Sequence, residues 1–210
     1  IESNNEVAII DPIREIDSYI EKAKISGSSI KYIFETHIHA DFISGHLNLA
    51  KKTGANIIYG PKANTSFKTI NAKDYEEFRL GDVTFVAIHT PGHTIESTTY
   101  LLRDSDNKDH AIFTGDTLFL GDVGRPDLSQ KSKHSNRDLA SMLYDSLRNK
   151  IMILDDSVIV YPGHGQGTSC GKDLSSETVG YLGDQKLTNY ALRKNMTKDE
   201  FVNEVLDGLE

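Results

Sequence analysis

Four segments of this chain carry histidine or aspartate where a strand-like apolar run gives way to a glycine-containing turn. The first holds His37, His39 and Asp41, which alternate along the chain after the mostly apolar residues 30–34. In an extended segment residues i, i+2 and i+4 point to the same side, so these three side chains converge. Converging imidazole and carboxylate groups are typical of transition-metal ligands. The first segment therefore predicts a metal site.

The other three segments repeat the arrangement further along the chain. They read Thr-Pro-Gly-His, Thr-Gly-Asp-Thr and Pro-Gly-His-Gly, and they present His93, Asp116 and His164 after apolar runs. Binding residues commonly group on loops at one edge of a sheet. The residue types alone leave two ligand sets open. One is His37, His39 and His93; the other is two histidines with one carboxylate.

The residues of these segments and their order along the chain resemble the motifs of proteins with the metallo-β-lactamase fold. The resemblance covers nearly the whole chain. It rests on the motifs THxHxD, TPGHT, TGDTLF and PGHG. It implies an α/β protein built as a single-domain αββα sandwich. In that superfamily the first motif usually ends in a further histidine that helps to hold a second metal. Phe42 stands there in this chain and cannot coordinate a metal, which argues against a dinuclear hydrolytic site.

Three longer segments resemble the persulfide dioxygenases, most closely the bacterial type often fused to rhodanese domains. They are HADFISGH, GDVGRPD and HGQGTSCG. The resemblance implies one Fe(II) per chain, held by His37, His93 and Asp116. It implies that a low-molecular-weight thiol persulfide reacts with O₂ to give sulfite and free thiol, as in sulfide detoxification. It assigns positions around the metal or the substrate to His39, Asp41, His164 and Cys170. Arg125, in a loop just after Asp116, is a further candidate for binding the substrate.

The ligand chemistry agrees with this resemblance. Two imidazoles and one carboxylate on one face of Fe(II) leave open positions for a substrate sulfur and dioxygen. Arg125 has two interpretations, a structural ion pair or an anchor for a carboxylate or phosphate of the thiol carrier. Cys170 is expected to contact substrate sulfur or to carry it transiently.

Two other functions stay open. A metal-dependent thioester hydrolase of the glyoxalase II type would need a zinc-like site and would have to tolerate Phe42. The residues after Lys172 are too few for the C-terminal helical domain that such enzymes usually carry. A metal-stabilised module that docks sulfur-carrier proteins without catalysis is the third reading.

Composition favours a cytoplasmic enzyme. The chain has 210 residues and a net charge of −8, which argues against nucleic acid and anionic membranes as partners. It lacks the run of about 20 apolar residues that a membrane helix needs. A single cysteine excludes internal disulfides and suits a reducing compartment. We expect a homo-oligomer, with a rhodanese domain or a sulfurtransferase as a partner.

Alternating strand-like and helical segments predict a layered α/β architecture. With the resemblance, they divide the chain into a metallo-β-lactamase-like domain over 1–171 and a helical extension over 172–210, which packs on the domain or leads to a fused partner. The first part is expected to lack the family's outermost N-terminal strand. Strands are predicted at 7–10, 31–35, 55–59 and 157–160, with three more within 76–103. Helices are predicted at 45–52, 138–150 and 197–209. Asp11 is predicted to cap a further helix that has Pro12 at its first position.

Overall fold

The computed structural model describes residues 1–127, 134–166, 168, 170–171 and 175–209. Eleven strands are found within this part of the chain: β1 Glu2–Ser3, β2 Glu6–Ile10, β3 Ser29–Phe34, β4 Asn56–Tyr59, β5 Ile70–Asn71, β6 Glu76–Leu80, β7 Val83–His89, β8 Thr98–Arg103, β9 Asp109–Gly115, β10 Ile159–Pro162 and β11 Gly180–Tyr181. The α-helices are α1 Asp17–Ile25, α2 His46–Thr53, α3 Asn136–Ser146, α4 Leu182–Thr188 and α5 Lys198–Leu206. A π-helical turn, Leu147–Ile151, continues α3, and a short 3₁₀ helix, Tyr190–Leu192, follows α4.

The strands form two sheets. The first has the order β1-β2-β3-β4-β5, in which β2 to β5 are parallel. The second has the order β11-β10-β9-β8-β7-β6. Strands β6 to β9 form an antiparallel meander, and β10 joins β9 in parallel. Strands β7, β9 and β10 therefore run in the same direction and end at the same edge of their sheet.

Side chains alternate between the two faces of each strand, which explains why the two sheets pack face to face. Along β7, Phe85 and Ala87 enter the core between the sheets, whereas Val86 and Ile88 enter the core under the helices. The opposite sheet contributes Phe34, whose ring centroid lies 4.8 Å from that of Phe85. Both faces of such a strand are buried, so the apolar run of β7 is nearly continuous rather than alternating with polar residues.

Helices cover the two outer faces of this sandwich. Helices α1 and α2 pack on the first sheet through Ala23 and Leu49. The other sheet is covered by α3 and α5, which place Leu143 and Phe201 in one core. Capping boxes at Ser135 of α3 and at Thr197 of α5 fix the starts of these helices. The predicted αββα sandwich is confirmed.

Most predicted elements are confirmed to within a few residues, but the first helix is not. We predicted a helix capped by Asp11, with Pro12 at its first position, whereas α1 begins at Asp17 and has no side-chain cap. The carboxylate of Asp11 is used elsewhere, since it accepts from the main-chain N–H and the hydroxyl of Thr36. Its backbone is left-handed, at φ 46°, so the chain turns sharply there and the helix starts later.

The C-terminal helix α5 shares a core with the second sheet, so its packing is part of the fold. Phe201 is fully buried, and its ring makes an edge contact with Tyr144 of α3 at 5.4 Å. The division of the chain at residue 171 stays a prediction, and residues 172–174, at that division, lie outside the described part. No helix among the described residues is long and apolar enough to cross a bilayer.

Replacing Phe201 by Ala tests how much α5 contributes to the fold. We expect the free energy of unfolding to fall by about 3–5 kcal/mol, because a buried ring is lost and a cavity remains. Urea unfolding measures the change. Leu187→Ala on α4 is the control, since Leu187 is 85% exposed and its replacement should cost less than about 0.5 kcal/mol. Equal losses in the two variants would contradict this packing role.

Candidate metal centre

Strand ends bring the predicted ligands to one edge of the sandwich. His37 lies three residues beyond the end of β3, and His93 lies four residues beyond the end of β7. Asp116 directly follows β9, and His164 lies two residues beyond β10. Because β7, β9 and β10 are co-directional, their carboxyl ends meet, and the loops that follow them can share one site.

His37, His93 and Asp116 form a compact buried cluster. One ligand-type atom from each lies within 4.8 Å of the others. The Nε2 atoms of His37 and His93 lie 3.9 Å and 3.4 Å from Oδ2 of Asp116. None of the three side chains is more than 6% exposed. These separations suit two imidazoles and one carboxylate on one face of a metal ion, so the geometry favours the two-histidine, one-carboxylate set.

Neighbouring groups fix both imidazoles in the orientation that a metal requires. The Nδ1–H of His93 donates to the main-chain carbonyl of Arg125 at 2.7 Å. Nδ1 of His37 lies 3.0 Å from the hydroxyl of Thr36. That hydroxyl gives its own proton to Asp11 at 2.8 Å, so it accepts from His37. Both Nε2 atoms therefore carry lone pairs that face Asp116.

The electrostatics of the cluster also fit a cation. Burial lowers the pKa of His37 well below its usual value, and the nearby His39 and His93 lower it further, which favours the neutral imidazole that a metal ion requires. Within the described residues neither carboxylate oxygen of Asp116 has a hydrogen-bond partner, although the residue is only 2% exposed. A buried carboxylate without donors is costly, and a bound metal ion satisfies it. The residues present therefore fit a metal ion.

Three glycines allow the backbone to approach the cluster closely. A Cβ on Gly124 would lie 1.9 Å from the carbonyl oxygen of Asp116, and one on Gly163 would lie 2.7 Å from its Oδ1. At Gly115 the backbone is left-handed, and a Cβ would meet Thr36 at 2.4 Å. The sequence predicts turns at these glycines; the structure adds that each also leaves room for another segment of the site.

His39 lies beside the cluster but is held by other residues. Its Nε2 lies 3.0 Å from Oδ1 of Asp11 and 3.4 Å from Oε2 of Glu35, and its ring lies against Phe42 at 4.3 Å. Burial alone would lower the pKa of His39, but the two carboxylates raise it to about 10. The raised pKa favours the imidazolium form of His39, which compensates the two buried acids and has no lone pair to offer a metal.

The two acids beside His39 were not among the predicted site residues. Asp11 was predicted to cap a helix, and no role in the site was predicted for Glu35. Glu35 is fully buried, and its Oε1 accepts from the hydroxyl of Ser44 and lies 3.0 Å from Nδ1 of His46. Its signal in the sequence is a carboxylate at the end of an apolar strand, directly before a histidine motif.

The remaining predicted residues lie around the cluster. Nε2 of His164 lies 3.2 Å from Oδ2 of Asp41 and 3.5 Å from Oδ1 of Asp116. Cys170 is buried, and one ligand-type atom of it lies within 4.8 Å of those of Asp41 and His164. Burial raises the pKa of its thiol, and the carboxylates of Asp116 and Asp41 raise it further. Cys170 is held at the site by its carbonyl, which accepts from the main-chain N–H of Arg125.

Arg125 contributes to the site mainly through its backbone. Its carbonyl holds His93 and its N–H binds the carbonyl of Cys170. Its guanidinium forms a two-pronged ion pair with Asp127, at 3.0 Å and 2.6 Å. The structural-ion-pair interpretation has this direct support, and the role of Arg125 as a carrier anchor stays a prediction.

Proteins of known structure share this arrangement of strands. Residues 1–164 match the model of the metallo-beta-lactamase superfamily. A crystal structure of a metallo-beta-lactamase from Staphylococcus aureus is 33% identical, with a TM-score of 0.87, and the match covers 97% of this chain and 60% of that one. The crystal structure of ETHE1 from Myxococcus xanthus is 29% identical, with a TM-score of 0.79, over 98% and 81%. A probable hydroxyacylglutathione hydrolase of Schizosaccharomyces pombe is 32% identical over 188 residues, 86% of this chain and 69% of the relative.

The chain therefore belongs to the metallo-β-lactamase superfamily, whose members bind metal ions such as zinc or iron. It spans 60% of the staphylococcal chain and 69% of the fission-yeast protein.

Replacing His39 by Asn tests its role as the buried counter-charge. We expect the free energy of unfolding to fall by about 3–5 kcal/mol, because Asp11 and Glu35 then face each other without a cation. Urea unfolding at fixed metal content measures the loss. The exposed His110 supplies the matched control, and His110→Asn should change stability by less than about 0.5 kcal/mol. A loss of metal stoichiometry in His39→Asn without a loss of stability would make His39 a ligand instead.

Replacing Gly124 by Ala tests the close approach to Asp116. The added Cβ would lie 1.9 Å from the carbonyl oxygen of Asp116 and must displace the backbone that carries a ligand. We expect metal affinity, measured by competition with a chromophoric chelator, to fall roughly 10- to 100-fold. Gly165→Ala is the control, because a Cβ there meets nothing within 4 Å. Unchanged affinity in Gly124→Ala would show that the site tolerates this shift.

Proposed function

We propose that this chain is an Fe(II)-dependent persulfide dioxygenase. The overall reaction is R–S–S⁻ + O₂ + H₂O → R–SH + SO₃²⁻ + H⁺. The S–S bond breaks, and the terminal sulfur leaves with three oxygen atoms, two from dioxygen and one from water. The two sulfur atoms together lose four electrons, which reduce the dioxygen. The substrate class is a low-molecular-weight thiol persulfide.

The observation that carries the proposal is the ligand set. His37, His93 and Asp116 would hold the metal, with both imidazoles neutral and oriented by their Nδ1 partners. Two histidines and one carboxylate are the ligands of the non-haem Fe(II) oxygenases. When bound in this set, Fe(II) supplies the redox chemistry and leaves positions open for a sulfur and for dioxygen. His39 adds no third imidazole, because Asp11 and Glu35 hold it.

The residues next to this set suit a sulfur anion. His164 borders Oδ1 of Asp116, and its Nε2 has no hydrogen-bond partner among the described residues. In its Nε2–H form that nitrogen can donate to the terminal sulfur and hold it beside the ligand set. It can also deliver the proton that the departing thiol requires. The buried ring of Phe119 lies 6.2 Å from that of His164 and makes this side of the site partly apolar.

The relatives support both this function and its alternative. ETHE1, a persulfide dioxygenase, shares the fold at 29% identity, and it is matched over 81% of its length. Relatives in Schizosaccharomyces pombe and Tolumonas auensis carry the name hydroxyacylglutathione hydrolase. Hydrolysis of a thioester is therefore the second candidate. Phe42, which stands where dinuclear hydrolases of this superfamily have a histidine ligand, favours the dioxygenase.

Oxygen uptake by anaerobically purified, Fe(II)-loaded protein tests the proposal. With glutathione or coenzyme A persulfide as substrate, we expect uptake matched by sulfite, with about one iron per chain in the triad. Asp116→Ala should abolish both iron binding and uptake, because the only carboxylate of the set is lost. Asp106→Ala, at an exposed turn, is the matched control and should retain both.

Other results of the same experiment would contradict the dioxygenase. Tightly held zinc, no oxygen uptake, and hydrolysis of a glutathione thioester would replace the dioxygenase by the hydrolase. Binding of a sulfur-carrier protein that survives Asp116→Ala, without either activity, would indicate a docking module.

A further inference from the structure

The loop that carries His93 is held by one face of helix α3. The loop covers residues 90–97, between β7 and β8. Leu143, Ser146 and Lys150 follow one another at helical spacing, so they lie along one face of α3 and of the π-helical turn that continues it. All three meet the main chain just before His93.

Ser146 and Leu143 hold the two residues that directly precede His93. The buried hydroxyl of Ser146 donates to the main-chain carbonyl of Pro91 at 2.8 Å. Gly92 lies against the helix itself, since a Cβ there would be 2.4 Å from Cβ of Leu143. The missing side chain at position 92 therefore lets the loop lie on the helix, and the hydrogen bond keeps it there.

Lys150 holds the residue from which the loop starts. Its ammonium group donates to the main-chain carbonyl of His89 at 2.7 Å and to Oδ2 of Asp74 at 2.6 Å. The other oxygen of Asp74 accepts from the main-chain N–H of His89 at 2.8 Å. Both main-chain polar groups of His89 are thus bound, one by Lys150 and one by the acid that Lys150 holds.

These contacts act on position more than on stability. The side chains of Lys150 and Asp74 are 23% and 38% exposed, and an ion pair at such exposure contributes little to the free energy of unfolding. Helix α3 is itself fixed by the C-terminal segment, because the hydroxyl of Tyr144 donates to the carbonyl of Met196 at 3.2 Å. The loop therefore lies on a packed helix.

His93 needs this support because its own hydrogen bond does not fix its main chain. The bond from its Nδ1–H to the carbonyl of Arg125 orients the ring, and its Nε2 lies 3.4 Å from Oδ2 of Asp116. Metal–ligand distances vary by only about 0.2 Å. A small shift of the loop would therefore take Nε2 out of reach of an ion that His37 and Asp116 hold.

We propose that Ser146 and Lys150 are positioning residues of the metal centre. They act through the main-chain carbonyls of Pro91 and His89, and they keep the loop where the ring of His93 faces Asp116. The proposal goes beyond the reaction proposed above, because it concerns the metal centre and holds for the dioxygenase and the hydrolase alike.

Lys150→Met and Lys186→Met are a matched pair of variants that test it. Lys186 likewise binds one carboxylate and one main-chain carbonyl, those of Asp156 and Leu154, both at 2.6 Å. The segment that Lys186 holds carries no ligand of the cluster. Each substitution removes a cation and two hydrogen bonds of the same kind, so a merely structural role predicts similar effects for both.

The ring N–H groups of the two histidine ligands supply the measurement. In protein with isotopically labelled histidine, NMR gives the rate at which the Nδ1–H of His93 exchanges with water, before and after Zn²⁺ is added. We expect exchange at least about tenfold faster in Lys150→Met, because the loop opens more often. The Nδ1–H of His37 should not change and is the internal reference.

Zn²⁺ affinity, measured by competition with a chromophoric chelator, is the second readout. It should fall about tenfold or more in Lys150→Met, as is typical when a group that orients a ligand is lost. Ser146→Ala should show the same pattern in both measurements. Lys186→Met should keep both exchange rates and the affinity within about twofold of the unmodified chain.

Two results would overturn the proposal. One is unchanged exchange at His93 and unchanged Zn²⁺ affinity in both Lys150→Met and Ser146→Ala. The other is an equal loss in Lys150→Met and Lys186→Met, since such contacts would then act on the fold as a whole. Neither measurement uses dioxygen or a thiol substrate, so failure here is distinguishable from failure of the dioxygenase.

Discussion

The centre of this protein depends on Asp116, a buried carboxylate that has no hydrogen-bond donor among the described residues. A carboxylate in that position is unfavourable unless a cation reaches it, and the surrounding structure is arranged accordingly. Two neutral imidazoles face one of its oxygens and a third imidazole lies near the other. Glycines at 115, 124 and 163 let neighbouring backbone close in on it. The sandwich supplies the rigidity, since these loops start from strand ends that are fixed by two buried cores.

The other buried acids at this edge of the sandwich, unlike Asp116, have partners within the protein. Asp11 and Glu35 are compensated by the protein itself, through His39, the hydroxyls of Thr36 and Ser44, and His46. His37 and His39 therefore differ in function although they are two residues apart. His37 is buried near other imidazoles, which lowers its pKa, whereas His39 lies near two carboxylates, which raise its pKa. Thr36 links the two, because its hydroxyl orients His37 and binds Asp11.

The contrast between Asp116 and the compensated acids Asp11 and Glu35 helps to explain how one fold can host different reactions. Relatives of similar identity carry the names hydroxyacylglutathione hydrolase and ETHE1, and a shared sandwich does not by itself decide the chemistry. The decision lies in which side chains around Asp116 are free to coordinate. Here His39 is engaged by acids and position 42 is phenylalanine, while Cys170 reaches the site from a loop whose main chain is bound to that of Arg125.

The sequence by itself determined most of the strands to within a few residues and the histidines and aspartates at their ends, and its resemblance to the metallo-β-lactamase fold implied the sandwich. Apolar periodicity and glycine-containing turns are local signals, and they are strong in this chain. Only the tertiary structure decided which of those side chains share a site. Asp11 has the local signature of a helix cap, yet Thr36 and His39, more than twenty residues away, use its carboxylate. Cys170 and Asp41 are far apart in the chain and meet only because β3 and β10 end at the same edge of the sandwich. Pairings of this kind depend on where strands end in space, which no local pattern of residues records.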